Sequence, residues 1–230
     1  MSQISCQVNQ IRNEIRAAQN KSSFAAEDVL LLAVTKNVDV DRINLAIESG
    51  ITAIGENRVQ EIQNKYDKIS HHVLWHLIGH LQTNKVKYII DKVSLIHSLD
   101  TIVLAKEINK RAERAGRVMP VLVQVNVADE DTKYGVVLGD AISFIKELLV
   151  LPHLKVEGLM TIGPLVDKAE EVRPVFRELR KLRDKIKEMD LPGVSMNYLS
   201  MGMTNDYQVA VEEGSNIVRI GSAIFGARKI

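Results

Sequence analysis

The sequence predicts an α/β protein, a (β/α)8 barrel of the TIM type with one extra helix at its N-terminus. Eight short apolar segments alternate with amphipathic segments, which is typical of a parallel sheet covered by helices. The length of 230 residues fits α/β barrels, which run to roughly 200 to 250 residues as one domain. No Gly-, Ser- or Pro-rich linker divides the chain, so we expect a single domain over residues 1–230. An open, doubly wound sheet is the main rival, and the lack of phosphate-binding glycine motifs weakens only its nucleotide-binding versions.

The spacing of apolar residues locates each element. Segment 1–20 has apolar side chains at helical spacing and should pack on the barrel. The predicted strands are 29–35, 52–56, 74–79, 95–100, 120–127, 155–162, 196–200 and 216–221. The predicted helices between them are 40–50, 58–69, 84–91, 102–116, 141–151, 168–189 and 206–214. Gly50 and Gly116 end two of these helices, and Pro152 cuts another short.

The composition excludes several classes of function. The chain has 30 basic and 29 acidic residues, which gives no reason to expect a nucleic-acid or membrane partner. Cys6 is the only cysteine, so neither an intramolecular disulfide nor a cysteine-based metal site is expected. The N-terminus lacks the pattern of a signal peptide, and the longest apolar run, 29–34, is too short to span a membrane. We expect a cytoplasmic protein.

A lysine at the end of the first strand is the first candidate for chemistry. Functional residues of such barrels lie at the C-terminal ends of the strands, and Lys36 directly follows the apolar strand 29–35. A lysine in the barrel mouth is partly desolvated, which lowers its pKa and frees the amine to form a Schiff base with an aldehyde. Most strand-end lysines are ordinary surface residues, so Lys36 alone is only a candidate.

A phosphate site is predicted after the seventh and eighth strands. Ser200 is followed by a turn that leads into a helix, with Thr204 or Asn205 as its N-cap. Helix N-termini bind phosphate, and Gly221 and Ser222 add a close backbone approach and a hydroxyl. These two loops form the recurrent phosphate site of such barrels, although capped turns without a ligand are also common. Strands 1 and 8 are neighbours in a closed barrel, so the amine and the phosphate site should meet.

Several motifs resemble the pyridoxal-phosphate homeostasis protein family, which looks like the N-terminal barrel of alanine racemase standing alone. The matching stretches are AVTK (33–36), IGENRVQE (54–61), WHLIGHLQTNK (75–85), LVQVNVADEDTKYG (122–135), VEGLMTI (156–162), LSMGMTNDY (199–207) and VRIGSAIFGAR (218–228). They occur in matching order from about residue 30 to the C-terminus. The resemblance implies an alanine-racemase N-terminal-domain-like fold and pyridoxal 5′-phosphate as cofactor.

The resemblance also implies roles for individual residues. Lys36 matches the lysine that forms the Schiff base, and Arg219 matches the arginine facing the pyridine nitrogen. Positions that line the phosphate are matched by Ser200, Thr204, Gly221 and Ser222. Asn57 and Met201 match residues near the cofactor, and His80 is a further position at the barrel mouth.

Arg219 also bears on the activity. Arginine stays protonated, so it donates only to an unprotonated pyridine nitrogen and stabilises a substrate carbanion weakly. Alanine racemase has a second, β-rich domain, for which the sequence leaves no room after Ile230. We therefore predict a non-enzymatic protein, a monomer that holds the cofactor for homeostasis and delivery. Its partners would be the cofactor and, transiently, apo-enzymes that need it.

Two enzymatic alternatives stay open. One is a small amino-acid racemase or related pyridoxal-phosphate enzyme, and the other is a Schiff-base aldolase that uses Lys36 on a sugar phosphate. Metal binding by the histidines is the less favoured interpretation, and polar lining of the barrel mouth by His76 and His80 is preferred. The histidines concerned are His71, His72, His76 and His80.

Overall fold

Eight parallel strands close into a barrel in the computed structural model, which describes residues 2–69, 72–130 and 133–226. The strands are β1 (Leu30–Val34), β2 (Ala53–Glu56), β3 (Leu74–Leu77), β4 (Leu95–Leu99), β5 (Met119–Asn126), β6 (Leu154–Met160), β7 (Val194–Ser200) and β8 (Ile217–Ile220). Each strand pairs with the next, and β8 pairs with β1 from Leu30↔Ile217 to Ala33↔Ile220, which closes the barrel. The predicted barrel is therefore confirmed, with a two-residue strand, Val136–Val137, added beside β5.

Most strand residues on both faces are apolar because both faces are covered. One set of side chains fills the barrel interior: Leu32, Ala53, Ile78, Leu95, Leu122, Met160 and Ile217. The alternate positions face the surrounding helices, as with Leu31 and Ala33 of β1, which belong to the larger outer core. This two-sided burial explains why β1 is a continuous apolar run.

Among the residues that the structure describes, eight α-helices surround the barrel: α1 (Gln3–Gln19), α2 (Val40–Glu48), α3 (Val59–Lys65), α4 (Ile102–Arg114), α5 (Ala141–Leu148), α6 (Arg173–Glu188), α7 (Tyr207–Glu212) and α8 (Ser222–Phe225). The extra helix α1 starts at the N-cap Ser2, whose side chain accepts a hydrogen bond from the Ser5 N–H. It packs against α2, α7 and α8, so it lies over the seam where β8 meets β1. In the described part of the chain, none of the helices is long and apolar enough to cross a membrane.

Three predicted helices differ from the structure. Segment 58–69 is α-helical over Val59–Lys65 and ends in a 3-10 helix, Tyr66–Lys68. Segment 84–91 was expected to be α-helical but forms a 3-10 helix, Thr83–Tyr88. Its buried Val86 and the adjoining Ile89 are three residues apart, which matches three residues per turn. Helix α6 begins at Arg173, after a 3-10 turn, because Pro174 fits the first helical turn, where its missing N–H needs no partner.

Candidate functional site

A cleft of about 610 Å³ opens at the C-terminal ends of the strands. Six of the predicted site residues line it: Lys36, Asn57, Thr204, Arg219, Gly221 and Ser222. They come from loops after β1, β2 and β7 and from β8 and the turn that follows it. The remaining lining includes Lys133 and the loop after β6, 162–167. Lys36 and Ser222, which are 186 positions apart in sequence, thus line one cleft because the barrel closes.

The amine and the last loop share one wall of the cleft. Lys36 is half-buried in the turn that follows β1. A Cβ on Gly221 would lie 3.4 Å from the Val34 side chain, so the backbone after β8 runs directly beside the end of β1. The sequence prediction that Lys36 lies next to the 221–222 segment agrees with this arrangement.

Two hydroxyl groups form the adjacent edge. The Ser222 hydroxyl donates to Thr204 Oγ1 at 3.1 Å, which joins the loops after β7 and β8. The predicted N-cap at Thr204 or Asn205 is wrong. Helix α7 begins at Tyr207, so its N-cap is Asp206. Asp206 Oδ1 accepts the Met203 N–H at 2.5 Å and so closes the turn. The Asp206 side chain makes no capping hydrogen bond to α7, so the usual N-cap preference of aspartate does not account for where this helix starts.

The floor of the cleft is a buried arginine. Arg219 Nη1 donates to Ser200 Oγ at 2.7 Å, and Nη2 donates to the Thr161 carbonyl at 2.8 Å. Burial lowers the pKa of Arg219 to about 10, with the charge of Asp206 acting in the opposite direction. The guanidinium therefore stays protonated at neutral pH and offers only donors to the cleft.

Ser200 and Met201 do not line the cleft. Both are fully buried, and Ser200 lies behind the guanidinium of Arg219. The sequence placed Ser200 at the end of the seventh strand but gave no information on its depth in the barrel. In this structure it supports Arg219 and does not reach the cleft surface.

A chain of hydrogen bonds continues behind Ser200. Ser200 Oγ lies 3.0 Å from His97 Nδ1, and His97 Nε2 lies 2.9 Å from His76 Nδ1. Burial lowers the pKa of His76 to about 4 and that of His97 well below its usual value. Both rings are therefore neutral near pH 7, and each carries one proton. All contacts are satisfied if Ser200 donates to His97 Nδ1 and His97 Nε2–H donates to His76.

The histidines are placed differently from the expectation that His76 and His80 line the mouth. His76 is buried inside the barrel, and His80 stacks on Tyr134 with its Nδ1 3.6 Å from Asp100 Oδ2. His71 lies outside the described residues. Over the described ranges, no three His, Cys, Asp or Glu side chains are grouped so that they could hold a metal ion.

Two parts of the lining were not predicted. Lys133 Nζ pairs with Glu130 at 2.6 Å and donates to the Gly163 carbonyl at 3.1 Å, which ties the loops after β5 and β6 together. Leu165 in the second loop is almost fully exposed. Neither residue stands out by periodicity, since loop residues carry no regular pattern.

Asn57 is held by its backbone. A Cβ on Gly79, after β3, would lie 2.3 Å from the Asn57 carbonyl oxygen. Only glycine therefore allows the end of β3 to approach the loop after β2 so closely. The backbone of Asn57 is in this way fixed beside the cleft, which its half-buried side chain lines.

Comparison with known proteins identifies the family. The model of the alanine racemase N-terminal domain matches residues 7–229. A pyridoxal phosphate homeostasis protein of Aquifex aeolicus is 44% identical over 223 residues, covering 96% of this chain and 97% of that protein. The chain belongs to the pyridoxal phosphate homeostasis protein family. The family resemblance predicted from the motifs is confirmed.

Two solved structures that are 30% and 38% identical to this chain have the same fold. An unknown protein from Bifidobacterium adolescentis superposes with a TM-score of 0.91 at 38% identity, over 96% of this chain and 94% of that one. PipY of Synechococcus elongatus, solved with PLP bound, has a TM-score of 0.82 at 30% identity, over 97% of this chain and 100% of that one. Both matches span nearly the whole barrel, so the alanine-racemase N-terminal-domain-like fold is confirmed.

Proposed function

We propose that this chain binds pyridoxal 5′-phosphate, with Lys36 forming the Schiff base, and that it serves intracellular homeostasis and delivery of the cofactor. The observation that carries the proposal is the meeting of an amine, two hydroxyls and a protonated guanidinium in one cleft. The names of the relatives and the PLP held by PipY point the same way.

The chemistry of the cleft fits the cofactor. Its volume of about 610 Å³ lies within the roughly 300 to 1,000 Å³ that small-molecule sites occupy. Thr204 and Ser222 present hydroxyls for the phosphate, with Gly221 giving close access to backbone. Lys36 supplies the amine on the neighbouring wall, and Asn57 lines the cleft beside the loop after β3.

Arg219 determines how the site treats the ring. When bound, the cofactor supplies an electrophilic aldehyde and an electron-withdrawing pyridine ring. The protonated Arg219 donates only to an unprotonated ring nitrogen, which makes the ring a weak electron sink. Ser200 supports this role as a positioning residue, because it holds Arg219 Nη1 from below. We therefore infer that the residues of the cleft hold the cofactor and do not drive turnover.

Delivery requires release of the cofactor. A Schiff base with a lysine is reversible, so another amine can take the aldehyde. We infer transient contact with apo-enzymes, a monomeric state and a location in the cytoplasm. The exposed, free thiol of Cys6 fits a reducing compartment.

We also infer that residues 1–230 form a single domain. The side chains of α1 share the buried core of the barrel helices, which supports this inference.

Borohydride trapping tests the proposal. Purified protein incubated with pyridoxal phosphate should turn yellow, and reduction followed by peptide mapping should place the label on Lys36. The matched control is Lys133→Ala, because Lys133 is a second lysine in the cleft. We expect Lys133→Ala to be labelled like the wild type and Lys36→Ala to lose the label. Label on Lys133 alone, or a protein that stays colourless, would contradict the proposal, and the second result would favour an aldolase acting on a sugar phosphate.

A further inference from the structure

We propose that Glu56, Glu61 and Lys65 are positioning residues that fix the backbone on both sides of Lys36; this inference rests on the proposed role of Lys36. The three side chains lie on the outer side of the barrel wall, between the ends of β1 and β2 and helix α3. Two of them belong to the stretch 54–61, whose acidic residues have no other assigned role.

Lys65 is the centre of the group. Its ammonium donates to the Thr35 carbonyl, to Glu56 Oε1 and to Glu61 Oε2, each at 2.8 Å. An ammonium has three N–H groups, so this set of acceptors uses all of them. The side chain is only 12% exposed, so the contacts are weakly screened by solvent.

The two carboxylates reach the residues on either side of Lys36. Thr35 Oγ1 donates to Glu56 Oε1 at 2.7 Å. The Asn37 N–H donates to Glu61 Oε2 at 2.8 Å. Asn37 has φ = 58°, in the left-handed region that asparagine tolerates better than most residues. The turn is therefore held at the residue before Lys36 and at the residue after it.

A role in stability alone does not explain the group. Glu56 is fully buried, and its Oε2 has no hydrogen-bond partner within the described ranges. Burying such a carboxylate is costly, and apolar residues of similar size in place of a buried ion pair are often neutral or stabilising. Another pair with the same spacing, Glu107–Arg111 at 2.6 Å, lies on α4 and belongs to a helix surface. The difference lies in the contacts that Glu61 and Lys65 make with the turn.

The consequence for Lys36 is geometric. Its amine reaches the cleft on a long, flexible side chain, so the position of its Cα sets where the amine is found. Bonds to Thr35 and Asn37 fix that Cα relative to the hydroxyls of Thr204 and Ser222. Pre-organisation of this kind raises affinity by reducing the ordering that binding requires.

The test compares Glu61→Ala with two matched variants. Glu61→Gln keeps an oxygen that can accept the Asn37 N–H, and Glu107→Ala removes the acid of an i,i+4 pair elsewhere. Hydrogen exchange of the 35–38 segment is measured in the cofactor-free protein, and the dissociation constant for pyridoxal phosphate is measured by absorbance. For Glu61→Ala we expect faster exchange of this segment and about 10-fold weaker binding, because the Asn37 N–H and the Lys65 ammonium each lose an acceptor. Glu61→Gln should recover most of both, and Glu107→Ala should change neither.

The outcomes separate the two proposals. If Glu61→Ala behaves like Glu107→Ala in both measurements, the inference is overturned whether or not the cofactor binds. If the wild type does not bind at Lys36, the proposed function fails, while the exchange data still test the contact between Glu61 and Asn37. Thr35→Val, which removes the hydroxyl bond to Glu56 and keeps the side-chain shape, serves as the second variant if Glu61→Ala does not fold. It should also weaken binding, and unchanged binding and exchange there would overturn the inference.

Discussion

Replacing Ser200 with alanine removes one hydroxyl that joins a charged and a neutral partner inside the barrel. Arg219 Nη1 donates to it at 2.7 Å, and His97 Nδ1 lies 3.0 Å away. A hydrogen bond to a charged group contributes roughly 1.5 to 3 kcal/mol and a neutral one roughly 1 kcal/mol. Both partners are buried, so water cannot replace the hydroxyl without rearrangement. We therefore expect Ser200→Ala to lower the free energy of unfolding by about 3 kcal/mol.

Ser215 provides the matched control. It is as fully buried as Ser200, but its hydroxyl lies near three backbone carbonyls, those of Leu199, Met201 and Ile217, at 2.8 to 3.1 Å. The carbonyls of Leu199 and Ile217 also accept backbone N–H groups, so they keep a partner when the hydroxyl is lost. Ser215→Ala should lower the free energy of unfolding by only about 1 kcal/mol.

Urea denaturation of both variants measures this difference in the free energy of unfolding. With an m-value of roughly 3 kcal/mol per M, the midpoint should fall by about 1 M for Ser200→Ala and about 0.3 M for Ser215→Ala. Ser200→Ala should also weaken binding of pyridoxal phosphate, because Arg219 loses one of its two supports, whereas Ser215→Ala should not. Equal midpoints for the two variants would refute the view that Ser200 holds Arg219.

Two further predictions concern proton uptake and turnover. Burial lowers the pKa of His76 from 6.5 to about 4, so the unfolded chain takes up its proton first and stability falls as the pH drops from 6.5 to about 4. At about 1.4 kcal/mol per pKa unit, this loss of stability is about 3 kcal/mol. The urea midpoint of His76→Gln should therefore depend less steeply on pH than that of the wild type. The same pH dependence in both proteins would contradict this prediction. In a racemase assay with D- and L-alanine, the loaded protein should be no faster than free cofactor, because Arg219 leaves the ring a weak electron sink; clearly faster turnover would favour the racemase alternative.

The sequence predicted those parts of the site that depend on position along a strand. Lys36 ends an apolar run, and Gly221 follows another, so each falls at the C-terminal end of the barrel by strand geometry alone. Closure of the barrel then brings their loops together. Local pattern was sufficient here because the relevant information is which end of a strand a residue occupies.

The support behind the site could not be predicted in the same way. His97 and Ser200 are 103 residues apart in sequence, and neither strand carries a pattern that points to the other. Their contact depends on depth within the barrel, and alternation of side chains gives only the face. The Glu61 contact with Asn37 likewise depends on how α3 packs against the turn after β1.

The residues that hold the Lys36 turn and those that hold Arg219 use different chemistry, and the difference follows from where they lie in the barrel. The group behind Lys36 is at the outer edge, where Lys65 and Glu61 keep 12% and 19% of their side-chain surface exposed, so this ion pair stays partly solvated. Burial raises the pKa of the neighbouring Glu56 carboxyl, which Lys65 and Thr35 hold by hydrogen bonds. The chain behind Arg219 runs through the barrel interior, where His97 is fully buried and a second charge would be strongly desolvated. Neutral imidazoles and a hydroxyl can orient Arg219 there without adding charge. A carboxylate in place of Ser200 would pair with Arg219 and draw it away from the cleft, whereas the hydroxyl holds the guanidinium and leaves its charge directed at the ligand.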